Sequence, residues 1–272
     1  MLAIAALVPD TALLVPGAAG RAVVLEATRE AALAAAREVV AAGPDQIVVV
    51  APGPHERTLP APARPSLIAA GIADAGHGWP PAEAAAPTTS PQPTTSLPPA
   101  TPAAPTTSLP PGVAASTVLL LLAAAGWAGP VTVLEVGAGE SGAQVLRERG
   151  AALAAGAARL ALVASGSLSA RNGPSAPLPA DERAAELDAS ILADLGAADP
   201  AARDRLGSVP ADLAGDLAVT AWAPLQVVLG AAGTAEGLAG GVRHTSAPFG
   251  VTYAVAVWRP SGPAVASAAG RP

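Results

Sequence analysis

Five short apolar runs, separated by longer stretches of helix-forming residues, constrain this chain more than any other feature. They are Leu2–Val8, Gln46–Ala51, Val131–Val136, Leu160–Ala164 and Val251–Trp258. Runs of this length, rich in β-branched residues and without polar alternation, fit strands covered on both faces. Between them the sequence predicts helices over Arg21–Ala42, Val113–Gly129, Gly142–Ala155, Ala180–Leu195, Pro200–Leu206 and Ala211–Ala232, the last divided around Pro224. In the first of these, Glu26 and Glu30 stand near Arg29 and Arg37 at helical spacings, and Asp181-Glu182 place acids where a helix begins. Strands alternating with helices predict an α/β fold, a central mixed sheet with helices on both faces.

Residues from about Pro80 to Pro111 break this alternation. PTTS occurs at Pro87, Pro93 and Pro105, and PTTSLPP occurs twice. Such a stretch is too poor in apolar residues to build a core of its own. The sequence therefore predicts a single α/β domain over 1–262, interrupted by a disordered low-complexity insertion at 82–111 and followed by a disordered tail at 263–272.

Composition excludes several classes of function. The net charge is −6, all 15 basic residues are Arg, and no basic patch is dense enough for a nucleic-acid partner. There is no Cys, which removes disulfides, thiolate metal sites and a Cys nucleophile. The uncharged run Val113–Gly129 falls short of the roughly 20 apolar residues of a spanning helix and leads directly into VTVLEV, so it predicts a buried helix and no membrane partner. MLAIAALVPD carries no basic leader and turns acidic early, which predicts a first strand and a cytoplasmic protein.

Two places point to a site. VLEVGAGESG (Val133–Gly142) has GxGxxG spacing between a strand and a helix, and resembles the first motif of S-adenosylmethionine-dependent methyltransferases. Gly137, Gly139 and Gly142 would admit a nucleotide there, although no acidic strand end follows about 20 residues later to hold a ribose. The second place is a set of strand ends. Val8 leads to Asp10, the second strand leads to His55 and Glu56, and Leu160–Ala164 leads to Ser165, Gly166, Ser167 and Ser169. In an open α/β sheet such ends converge on one edge, where ligands bind. Asp10 and His55 there are candidate metal ligands, since facial sites use imidazole and carboxylate. Asp10 reads also as a turn or cap residue, and His55 as a solvated loop residue. Arg171 and Asn172 are candidate anion-binding residues. His244 would reach the same edge if its loop folds back, and reads also as a surface residue.

The order and texture of four segments resemble the class III extradiol ring-cleavage dioxygenases, catalytic-subunit-B (LigB-like) superfamily. These segments are AALVPDTALLVPG (Ala5–Gly17), IVVVAPGPHERT (Ile47–Thr58), LALVASGSLSARNGP (Leu160–Pro174), and APLQVVLGAAG (Ala223–Gly233) with APFGVTYAVAVW (Ala247–Trp258). The resemblance implies Fe(II) held by two His and one carboxylate, a small aromatic substrate of catechol type, a further His as acid/base, and self-association. Asp10 stands where the resemblance puts the first metal His, and Ala170 where it puts the acid/base His. The carboxylate position falls near Ala221–Trp222, which leaves His55 as the one retained imidazole. The resemblance thus implies a dioxygenase-like protein with an incomplete iron site. It would retain a substrate pocket at Ser165, Gly166, Ser167, Ser169, Arg171 and His244. The alternatives are the methyltransferase and a non-catalytic binding or scaffold protein on the same fold.

Overall fold

A computed structural model describes residues 1–73, 109–137, 139–233 and 237–260. Most of the 82–111 insertion, the tail at 263–272 and His77 lie outside the described residues.

Seven strands form one mixed sheet in the order β3-β4-β2-β5-β1-β7-β6. They are β1 (Leu2–Val8), β2 (Gln46–Gly53), β3 (Arg57–Leu59), β4 (Val131–Gly137), β5 (Leu160–Ser165), β6 (Leu238–Ser246) and β7 (Tyr253–Pro260). β4, β2, β5 and β1 run parallel, whereas β3 and β7 pair antiparallel with their neighbours at the two sides. The chain is thus an α/β protein with a mixed sheet and helices on both faces, as its alternating pattern predicts.

Side chains alternate along each central strand and feed two cores. Leu160, Leu162 and Ala164 of β5 join Val48, Val50, Leu134 and Val136 on one face. Ala161 and Val163 join Ile47, Val49, Val131 and Val133 on the other. The first face is covered by α3 (Ala143–Ala154), α4 (Arg183–Ala197), α5 (Pro200–Ser208), α6 (Ala211–Asp216) and α7 (Trp222–Ala232). The second is covered by α1 (Glu26–Ala41) and α2 (Val113–Ala124). No helix among the described residues is long and apolar enough to cross a membrane.

Several elements differ from the sequence expectation. The first helix begins at Glu26, because Val23 and Val24 are poor helix formers and Leu25 adopts a left-handed conformation at the N-cap. The break in the helical stretch 211–232 falls at 217–221, and Pro224 sits in the first turn of α7, where its missing N–H costs nothing. Strands β3 and β6 are additional. β3 has three residues, and β6 (LAGGVRHTS) carries two glycines and mixed polarity, so neither shows a period in the sequence.

Aromatic side chains make up 2% of the chain, so helices pack through small residues and close backbone approach. α3 and α7 show this most sharply. A Cβ at Gly230 would lie 1.9 Å from the Arg147 carbonyl oxygen, and one at Gly150 would lie 1.9 Å from that of Val227. In an open helical position Gly→Ala stabilises by up to about 1 kcal/mol. At Gly230 both clashing groups are backbone, so Gly230→Ala is expected to destabilise the protein by about 1–3 kcal/mol. Gly196→Ala in α4 meets nothing within 4 Å and is expected to change stability in the opposite direction. Urea denaturation of the two variants checks the contrast.

Candidate functional site

The loops after β1 and β2 lead to the α1/α2 face, and those after β4 and β5 lead to the opposite face. In spatial order the four parallel strands therefore send their chains alternately up and down, which opens crevices at their carboxyl ends.

The crevice between β1 and β5 is closed by hydrogen bonds. The Gly166 N–H donates to the Val8 carbonyl at 2.9 Å. The Ser167 hydroxyl donates to Asp10 Oδ1 at 2.5 Å. The Ser167 N–H donates to Thr220 Oγ1 at 2.8 Å, and its carbonyl accepts from the Ala221 N–H at 3.0 Å. Gly166 is required here, since a Cβ would lie 2.3 Å from Ala221 Cα. Asp10 and Ser167, two of the strand-end residues, are thus brought together.

Tyr253, at the start of β7, joins this cluster through a hydrogen bond with Thr11 and through its proximity to Asp10. Burial, aided by the negative charge of Asp10, pushes the Tyr253 phenol above the ordinary tyrosine range, and the Thr11 hydrogen bond opposes that shift.

The remaining candidates find other partners. His55 is 81% exposed, and its Nδ1 lies 3.0 Å from Glu140 Oε1. The Glu56 N–H donates to Glu140 Oε2 at 2.7 Å. The His55 hydrogen bond first, then that of Glu56, holds the Glu140 carboxyl below the usual carboxylate range. Ser165 is buried against the Ala114 carbonyl. Ser169 is buried, and both its N–H and its hydroxyl donate to Asp188, at 2.9 and 2.7 Å. Arg171 Nη1 donates to the Pro179 carbonyl, and its Nε is buried without a partner. His244 Nε2 lies 2.9 Å from Thr28 Oγ1, on the face of the sheet covered by α1. Among the described residues no hydrogen bond or ion pair joins His55, Arg171 or His244 to the Asp10–Ser167 pair.

These donors do not form the set that the dioxygenase resemblance implies. One carboxylate and one imidazole remain, the carboxylate is engaged by Ser167, and the imidazole by Glu140. Ala170 and the Ala221–Trp222 pair supply no ligand atom. Among the described residues no group of three His, Cys, Asp or Glu side chains is placed to hold a metal ion.

A cavity of about 260 Å³ lies at the carboxyl ends of β2 and β4, bordered by Pro52, Gly53, Val136, Gly139, Thr220 and Trp222, with α6 forming its far wall. Thr220 is the link between this cavity and the Ser167 cluster. The lining is mainly apolar. The indole N–H of Trp222 is spent on the Val209 carbonyl, so it is the ring that contributes to the wall. At the glycine-rich turn, Gly139 reaches the same cavity, while the Glu140 side chain folds back over Gly137.

Thr220, Tyr253, Asp188 and Glu140 are not marked in the sequence. Thr220, Tyr253 and Glu140 lie in loops or at the edge of an element, Asp188 lies inside α4, and the role of each depends on which strand end it meets.

No family model matches the chain, and no curated protein matches it. Among solved structures, an uncharacterized protein of Escherichia coli K12, JW3007, is similar over 94% of this chain and 99% of its own, with 18% identity and a TM-score of 0.50. At that identity the likeness is one of fold.

Tyr253 is the one tyrosine of the chain, so tyrosinate absorbance reports it alone. It is expected to titrate above the usual value of about 10, and Asp10→Asn is expected to move it back down. Because the folded value is raised, the stability carried by the neutral phenol is complete below the unfolded pKa and is lost as pH rises through the folded one. An alkaline titration of both proteins checks the direction.

Proposed function

We propose that this chain is a divergent extradiol-dioxygenase-like protein that binds a small aromatic molecule at the carboxyl edge of its sheet without opening the ring. The observation that carries this reading is the 2.5 Å hydrogen bond from Ser167 to Asp10. It occupies the carboxylate at the position where the family resemblance implies the first metal ligand. The neighbouring cavity at the ends of β2 and β4 supports a binding role. Its volume of about 260 Å³ falls just below the roughly 300–1,000 Å³ typical of drug-sized ligands, which suits a single aromatic ring. The Trp222 ring and the small residues around it favour a flat apolar body. A cysteine-free chain needs no oxidising compartment, which fits a cytoplasmic location.

In this reading the protein contributes desolvation and shape. Gly53 and Gly139 let the ligand approach the backbone, and Trp222 supplies a face for the ring. The Ser167–Thr220 bond holds one wall in place.

Calorimetric titration with catechol is expected to give saturable binding that Ala211→Phe abolishes, because Ala211 is exposed at the cavity wall and a phenyl ring there fills the space. Protein supplied with Fe(II) and dioxygen is expected to consume no oxygen with catechols. Oxygen uptake with ring-opened product would overturn the reading. So would tight binding of S-adenosylmethionine in place of catechol, which would favour the methyltransferase.

A further inference from the structure

A larger cavity, about 760 Å³, lies away from the strand ends, between α3, α5 and α7. It shares no lining residue with the cavity at β2 and β4. Two helices build it from matching stripes. α3 contributes Gln144, Arg147, Glu148 and Ala151, and α5 contributes Pro200, Arg203, Asp204, Gly207 and Ser208. Residues three and four apart share one face of a helix, so each stripe is a continuous surface.

Each helix presents an Arg followed by an acid, and the two kinds of residue lie at different depths. Arg147 and Arg203 are half-buried, whereas Glu148 and Asp204 are exposed. The floor is therefore basic and the rim acidic.

Arg147 is held before any ligand arrives. Its Nη1 donates to the Gly207 carbonyl at 2.9 Å and to Gln226 Oε1 at 2.6 Å, and the Gln226 amide is itself anchored on the Leu206 carbonyl. These partners are neutral, and among the described residues Arg147 has no carboxylate partner. Its Nη2 makes only a 3.4 Å contact, with Gln144 Oε1. A fixed guanidinium without a counter-charge is suited to bind a carboxylate. At the rim, Asp204 makes no hydrogen bond or ion pair among the described residues, and Glu148 accepts only from the Gln144 amide. Two carboxylates there, with no cationic partner among the described residues, repel polyanions and attract an ammonium group.

We propose that this cavity binds a zwitterion, a free amino acid or a dipeptide, with its carboxylate on Arg147 and its ammonium group toward Asp204 and Glu148. The site is separate from the aromatic-binding cavity, and each stands or falls on its own titration.

The test is calorimetry of the intact protein against the free amino acids and a set of dipeptides, with acetate and inorganic phosphate as anions lacking an ammonium group. At least one zwitterion is expected to bind more tightly than either simple anion. Asp204→Asn changes an exposed residue without partners, so it leaves the fold intact. It is expected to weaken the zwitterion roughly ten-fold without weakening acetate, which loses a repelling charge. Arg147→Lys keeps the charge but loses the fork, and is expected to weaken both. The proposal is overturned if no zwitterion binds, if acetate or phosphate binds as tightly, or if Asp204→Asn leaves zwitterion affinity unaltered.

Discussion

Ser167 and its two neighbours hold the carboxyl edge of the sheet together. Gly166 donates to β1, Ser167 donates through its side chain to Asp10 and through its backbone to Thr220, and Leu168 donates to the Thr252 carbonyl just before β7. Ser169 then donates to Asp188 of α4. Four consecutive backbone N–H groups are thus spent on four different parts of the chain. Buried backbone donors must find partners, and in this loop every partner is internal. A loop that stabilises developing negative charge keeps its N–H groups free for the reacting atom. This one has none to offer, so it acts as a rigid wall. The Ser167 hydroxyl, in contact with the Asp10 carboxylate, therefore has no free backbone donor of residues 166–169 beside it.

The same economy governs the core. With few aromatic rings, the chain fills its interior with Ala, Val and Leu and brings backbones close together. The contact of α3 with α7 at Gly150 and Gly230 leaves no room for a methyl group. It also fixes Arg147, whose carbonyl meets Gly230 while its guanidinium reaches across to α5. The tight helix pair and the open cavity beside it follow from one residue that packs through its backbone on one side and bridges through its side chain on the other.

The sheet and most helices are legible in the sequence because the central strands are apolar on both faces. Leu160–Ser165 is such a strand, and nothing in it competes with that reading. β3 and β6 lie at the two sides of the sheet, where one flank faces solvent and the pattern dissolves; β6 is specified by its pairing with β7 rather than by its own residues. The meeting of Asp10 with Ser167 is legible as two strand ends on one edge. Thr220 is not, since it comes from a loop whose position is set by tertiary packing, and Tyr253 lies in an expected strand whose partners its own sequence does not name. His55, in the loop after β2, pairs with Glu140, a residue of the glycine-rich turn after β4 whose side chain reaches back toward the β2 loop. Nothing in the spacing of residues 55 and 140 announces that contact.

Glu135 explains how the sheet tolerates a long low-complexity stretch within it. This carboxylate is fully buried in β4. Burying an isolated charge costs several kcal/mol, so it needs close partners. Arg57 Nε of β3 donates to it at 2.6 Å, and the Gly112 N–H at the start of α2 donates at 2.6 Å. The second contact also places negative charge at a helix N-terminus, where it is favoured. Arg57 further donates to the carbonyls of Leu109 and Pro110. One buried carboxylate therefore fixes the chain at 57–59 and again at 109–112, whatever lies between. Since Gly53 packs directly on Glu135, the same ion pair also sets the wall of the cavity at the ends of β2 and β4. The described segments on either side of residues 74–108 are thus tied to the same carboxylate that borders the cavity.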